Sequence, residues 1–168
     1  MRPGGDVSSV PRITIDLGRQ RLTLEREAVA ALEYPVSTAA RGAGERNGSN
    51  QTPRGTHRIR ARIGDGAPIG TVFKGRRPTG EIYSEALAAE APRRDWILTR
   101  ILWLCGCEPG VNRFGDVDTM RRYIYIHGMP DSVDLGQPGS IGCIRMRNVD
   151  VIDLFDRVPV GTPVDIHE

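Results

Sequence analysis

Two residues in this chain have the chemistry of a nucleophile and its base. Cys143 stands in the string SIGCIRM, residues 140–146, and His127 ends the hydrophobic run YIYIH sixteen positions upstream. A thiol attacks as its thiolate, and an imidazole within hydrogen-bonding reach can take its proton, so the pair is a candidate for covalent acyl transfer. Period-two alternation puts Tyr123, Tyr125 and His127 on one face of a strand. The intervening GMPDSVDLGQPGSIG is dense in turn formers and can fold back to bring the cysteine beside the histidine. Gly142 leaves room for a substrate carbonyl, so the amides of Gly142 and Cys143 are candidate oxyanion donors. In extended backbone Arg145 shares the face of Cys143, where it would lower the thiol pKa or hold a substrate carboxylate.

From residues alone, bland readings stay open. A lone cysteine among small residues is often a buried hydrophobe, and a histidine at a strand end is often structural. A zinc site from Cys105, Cys107, His127 and Cys143 is disfavoured: the CGC of WLCGCEPG is too tightly spaced and has no second pair. The same spacing argues against a thioredoxin-like redox pair. With three cysteines the count is odd, which leaves at least one thiol free of intrachain pairing.

The elements that must position the pair read mainly as strands. RITIDLGRQRLTLERE is a hairpin, with Ile13, Ile15 and Leu17 before a turn at Gly18 and Leu22 and Leu24 after it. LEYPVSTAA, THRIRARIG, PIGTVFKG, DWILTRILWLCG, RRYIYIHG and GTPVDIHE are further strand candidates. RGAGERNGSNQTPRG is a long loop, and SEALAAEAPRRD supports no more than a short helical turn before Pro92. The best helix is RNVDVIDLFDRV, with Asn148 as its expected cap and Val151, Leu154, Phe155 and Val158 forming one apolar face. This pattern predicts a mainly β fold, a sandwich or open barrel with one or two short helices, over residues 12–168, preceded by a loose tail over 1–11.

Composition narrows the class. The chain has 168 residues, 39% hydrophobic and 26% charged, with 20 glycines and 12 prolines, which suits one turn-rich globular domain. Its net charge is +2, and all 23 basic residues except Lys74 are arginines. The pairs Arg76-Arg77, Arg93-Arg94 and Arg121-Arg122 are scattered and lack interleaved aromatics, which argues against a nucleic-acid footprint. No apolar run is long enough to span a bilayer, and MRPGGDVSSVPR shows no secretory leader.

The string IHGMPD, followed by LGQPGSIGCIRMRNVDVIDLFDRVPVGTPVDI, resembles the catalytic motif of the L,D-transpeptidases, the YkuD-type domain of bacterial cell-wall enzymes. YPVSTA and NQTPRGTHRI resemble that family's early strands and turn, so the likeness runs from about Arg12 to the C-terminus. It implies a YkuD-like β-sandwich or open barrel. It also implies that Cys143 is the nucleophile, His127 the general base, and the Gly128 carbonyl the group that orients the imidazole. Ser140, Gly142 and Arg145 would shape the acyl site, with Ser140 and Arg145 as substrate contacts. The implied substrate is a peptidoglycan stem peptide. It would be acylated onto the thiol through the diaminopimelate carbonyl with loss of D-alanine, then passed to an amine to give 3–3 cross-links. An L,D-carboxypeptidase or hydrolase, or a non-catalytic peptidoglycan-binding module, is the alternative. Also implied are susceptibility to carbapenems, no metal or organic cofactor, a monomer, and a periplasmic or cell-envelope location. Many members carry histidine where this chain has Ile141. In the DWILTR to RRYIYIHG region, Asn112, Arg113 and Arg122 are candidate substrate contacts, and Cys105 and Cys107 are expected to be idle.

Overall fold

The computed structural model describes residues 10–168, so most of the expected N-terminal tail lies outside the described residues. Ten strands form one sheet: β1 (Arg12–Asp16), β2 (Arg21–Arg26), β3 (Val29–Pro35), β4 (Gly55–Ile63), β5 (Thr71–Lys74), β6 (Arg77–Ile82), β7 (Ile97–Gly106), β8 (Tyr125–Met129), β9 (Ile144–Arg147) and β10 (Pro163–His167). Two helices, α1 (Glu85–Glu90) and α2 (Asn148–Arg157), complete it. The sheet curls into a half-barrel, so the open-barrel alternative is the one realised.

The alternating segments behave as their patterns require. In β1 and β2, Ile13, Ile15, Leu22 and Leu24 all point inward and are fully buried. They join Ile59, Leu102, Leu104, Ile126, Ile144 and Met146 in the main core, which α2 closes with Val151, Leu154 and Phe155. Burying side chains of this size stabilises by roughly 1.5–3 kcal/mol each. Asn148 is not the expected cap. Arg147 occupies that position without a side-chain bond, while the Asn148 amide points back into the sheet and donates to the Met129 carbonyl at 2.9 Å. β3 runs over VAALEYP, earlier than LEYPVSTAA suggests. Strand β6 escapes the alternation rule because RPTGEI carries Pro78 and Gly80; it is an exposed edge strand, where a proline costs no ladder bond.

β7 is the organising strand. Along one edge it pairs with β5 through Ile97 and Leu98 and with β4 further on; along the other it pairs with β8. Between the pairs Leu98–Gly128 and Ile101–His127 it carries two extra residues, Thr99 and Arg100. Thr99 sits fully buried at φ +72°, a costly conformation for a β-branched residue. Its hydroxyl donates to Asn148 Oδ1 at 2.6 Å and accepts from the Gly70 amide at 3.1 Å, which holds the bulge in place directly across from His127.

Away from that strand pair, His57 on β4 is buried. Its Nδ1–H donates to the Gly55 carbonyl at 2.9 Å, and Nε2 accepts from the Thr119 hydroxyl at 2.9 Å. Burial lowers its pKa from 6.5 to about 4. The folded state therefore favours the neutral ring. Its full contribution is present above pH 6.5 and is lost as the pH falls toward 4, a loss of about 3 kcal/mol for this group. Urea midpoints measured between pH 7 and pH 4 should fall less steeply for His57→Gln than for the wild type; parallel acid limbs would contradict the assignment.

Candidate active site

The parallel β8–β9 ladder sets the relation between the two sequence candidates. Ile126 pairs with Ile144 and His127 with Arg145, so Ile126 and Ile144 face the main core while His127 and Arg145 face the other side. Continuing the register by one residue puts Cys143 beside Tyr125, and the Tyr125 amide donates to Cys143 Sγ at 3.3 Å. Cys143 and His127 thus share a face on adjacent strands, offset by two residues along them. Strand spacing puts their Cα atoms on the order of 8 Å apart. That face carries a second, smaller apolar cluster of Phe73, Ile101 and Tyr125, with Trp103 and Cys143 packed against it.

The histidine's tautomer follows from its partner. His127 is buried and its Nδ1 lies 2.6 Å from the Gly128 carbonyl, which can only accept. Nδ1 therefore carries the hydrogen and Nε2 is left with a free lone pair. Gly128 must be glycine: an added Cβ would lie 2.4 Å from Asn148 Oδ1 and 2.6 Å from the Leu98 carbonyl. Burial lowers the His127 pKa, and Arg145 lowers it further.

The thiol rests protonated. Burial pushes the Cys143 pKa up to about 12, outweighing the Tyr125 amide and the Arg122 and Arg145 charges, which act the other way. The S–H group donates to the Tyr123 carbonyl at 3.4 Å. Arg145 therefore acts on the thiol in the expected direction, but burial wins. Cys143 is nonetheless only half-buried, and it lines a cavity of about 500 Å³ together with Arg76, Asp95, Arg122, Tyr123, Tyr125 and Ile141.

The loop around the cysteine is held from several sides. Ser140 Oγ donates to the Cys143 carbonyl at 2.6 Å and accepts from the Gly142 amide at 3.2 Å. The serine hydroxyl thereby braces its own turn. The same bond engages the Gly142 amide, one of the two expected oxyanion donors. Gly142 has φ +137°, and its carbonyl accepts from Thr52 Oγ1 at 2.9 Å, so the NQTPRG loop clamps the turn that precedes Cys143. Arg145 donates from Nη2 to Ser37 Oγ at 2.8 Å beneath the 137–140 loop. Of the other candidates, Asn112 is fully buried and bonds the Glu108 amide and the Arg54 and Thr56 carbonyls, a structural post. Arg113 stacks on Phe114 away from the thiol. Arg122 does reach the cavity: it donates to the Gly44 and Gln51 carbonyls and to Ser49 Oγ, all neutral acceptors, while Glu45 acts on its charge from nearby.

Two contributors escaped the sequence. Asp95 bears electrostatically on His127, Cys143 and Arg145. Arg76, on the β5–β6 turn, lies over the Trp103 ring at 4.7 Å and the Tyr123 ring at 4.9 Å, and donates to the Tyr125 hydroxyl at 3.1 Å. The hairpin is thereby latched over one wall of the thiol's cavity. Neither residue belongs to a local pattern that would flag it.

Comparison with known proteins places this geometry in context. The family model described as the L,D-transpeptidase catalytic domain, YkuD, matches residues 11–166. Over 45 residues the chain is 51% identical to the probable L,D-transpeptidase ErfK/SrfK of Escherichia coli strain K12, covering 27% of this chain and 14% of that protein. Over 47 residues it is 45% identical to the putative L,D-transpeptidase YkuD of Bacillus subtilis, covering 28% and 29%. Among solved structures, L,D-transpeptidase 3 from Mycobacterium tuberculosis superposes with a TM-score of 0.58 at 14% identity, over 95% of this chain and 62% of that one. LdtMt1 in complex with imipenem gives a TM-score of 0.55 at 16% identity, over 95% and 59%. The matched segments thus span less than two thirds of these relatives' lengths.

Proposed function

This chain belongs to the family of L,D-transpeptidase catalytic domains, and from that premise we propose that Cys143 and His127 carry out acyl transfer on peptidoglycan stem peptides. The observation that carries the reading is the free Nε2 of a tautomer-locked His127 on the same sheet face as a cavity-lining thiol. In the proposed reaction His127 Nε2 takes the Cys143 proton as the sulfur attacks the diaminopimelate carbonyl. The developing oxyanion rests on the Cys143 amide, and the Arg122 and Arg145 charges stabilise it from nearby. The C–N bond breaks, D-alanine leaves with the proton from His127, and a thioester remains. An incoming amine gives its proton to His127, displaces the sulfur and forms the new amide. The proposed setting is the cell envelope, on the periplasmic side; among the described residues no helix is long and apolar enough to cross a membrane.

Intact-mass measurement after exposure to imipenem tests the reading. One adduct is expected on the wild type, mapping to Cys143 rather than to Cys105 or Cys107, and none on Cys143→Ala. An adduct that persists in the variant, or a wild type that stays unmodified, would remove Cys143 from the chemistry. Incubation with a stem tetrapeptide and an amine acceptor then separates transfer from hydrolysis by the mass of the product.

A further inference from the structure

Beyond Trp103 the same face of the sheet carries a second cavity of about 370 Å³, lined by Arg58 and Arg60 from β4, Cys105 from β7, and Arg113, Asp118 and Arg121 from the segment before β8. Four guanidinium groups meet one carboxylate there, and that carboxylate is already engaged: Asp118 accepts from the Phe114 amide at 2.7 Å and the Arg121 amide at 2.9 Å. Among the described residues the ion pairs are Arg12–Asp165, Arg54–Glu45, Arg54–Glu168, Arg94–Glu81 and Arg157–Asp153, so none of the four arginines has an acidic partner. Arg113 is held with its face on the Phe114 ring at 4.6 Å, which presets its plane while its donors stay available. Bringing like charges together without compensation is unfavourable, and planar guanidinium forks in such a cluster suit an anion with paired oxygens.

Shared lining residues place the cavity next to the thiol's. A smaller space of about 250 Å³ shares Asp118 and Arg121 with the basic cavity and shares Arg122 with the cavity of Cys143. Trp103 pairs with Tyr125, which adjoins Cys143, and Cys105 lies two residues further along β7. Strand spacing and rise therefore put Cys105 on the order of 12 Å from Cys143, the reach of about four extended residues. We propose that the Arg58–Arg60–Arg113–Arg121 cavity is an anion subsite that holds a carboxylate-bearing arm of the peptide whose reacting carbonyl lies at Cys143, an inference that rests on the acyl-transfer reading for its choice of ligand. Proximity to the thiol's cavity favours a peptide carboxylate over a free-standing phosphate polymer.

The test uses the whole chain carrying Cys143→Ala, so that binding is read without turnover. An acidic tetrapeptide bearing two glutamates, its glutamine counterpart and a glycerol-phosphate oligomer are titrated calorimetrically at low and high salt. The glutamate peptide should bind at least ten-fold more tightly than the glutamine one, and the difference should shrink with salt. Adding Arg58→Gln and Arg113→Gln, both at exposed positions, should abolish the difference while the melting temperature holds. Equal affinity for the two peptides, a difference that survives the arginine substitutions, or binding of the phosphate oligomer alone would overturn the proposal. Imipenem acylation of the wild type, measured in parallel, reports on Cys143 independently of the peptide titration. Loss of acylation in the wild type would instead strike the acyl-transfer reading and leave the peptide titration to be judged by itself.

Discussion

Replacing His127 by glutamine is expected to slow imipenem acylation of Cys143 by about 10²–10⁴-fold, the usual loss when a positioned general base is removed. The size follows from the resting state of the thiol. With its pKa pushed up to about 12, only roughly one sulfur in 10⁵ is ionised at pH 7 without help. A preformed thiolate therefore contributes little, and the proton has to leave during attack. His127 suits that step because its Nδ1–H is tied to the Gly128 carbonyl and its depressed pKa keeps Nε2 unprotonated. The pH dependence has a definite sign. Acylation should hold its rate down through the ordinary imidazole range near pH 6.5 and fall only as His127 itself becomes protonated below it. On the alkaline side there should be no thiol-titration step near pH 8.5. Stopped-flow acylation rates from pH 4.5 to 10 check both limbs. A rate in His127→Gln within three-fold of wild type, or a wild-type profile that rises with a pKa near 8.5, would remove the histidine from its assigned part.

The second large effect is expected from Gly128→Ala. The new methyl would lie 2.4 Å from Asn148 Oδ1, and the 2.6 Å approach to the Leu98 carbonyl is to backbone, which cannot swing aside. Relieving it means shifting β7 at its Thr99 bulge or pushing Asn148 off the Met129 carbonyl and the Thr99 hydroxyl. A cost of about 2–4 kcal/mol is expected for such overpacking against a satisfied polar network. In a chain of this size that lowers the melting temperature by about 4–16 °C. The same displacement moves the carbonyl that fixes His127, so acylation by the still-folded fraction should fall as well. Thermal unfolding followed by circular dichroism, paired with acylation below the transition, reads both effects. An unchanged melting temperature would mean that the close packing around Gly128 is not as described.

These two residues also show how far local sequence carries. The strands were legible wherever alternation was clean, because a period of two marks one buried face whatever the strand's partner. The hairpin of Ile13, Ile15, Leu22 and Leu24 and the apolar face of α2 are of this kind, and they are buried as expected. The Cys143–His127 spacing was legible too, since the turn-rich segment between them signals a return of the chain and the surrounding motif is specific. Edge strand β6 was not, because its proline and glycine imitate a turn.

The amino-acid sequence by itself therefore determined most of the strands, the apolar face of α2 and the candidate pair Cys143 and His127, since these depend on residues close together in the chain. Tertiary structure alone decided what surrounds them. It spent the Ser140 hydroxyl inside its own turn, sent the Asn148 side chain into the sheet instead of the helix cap, seated Arg76 among aromatics, and gathered Arg58, Arg60, Arg113 and Arg121 around one cavity. Those meetings are set by strand register and by the curl of the sheet, which join residues far apart in sequence and leave no periodic trace in any one segment.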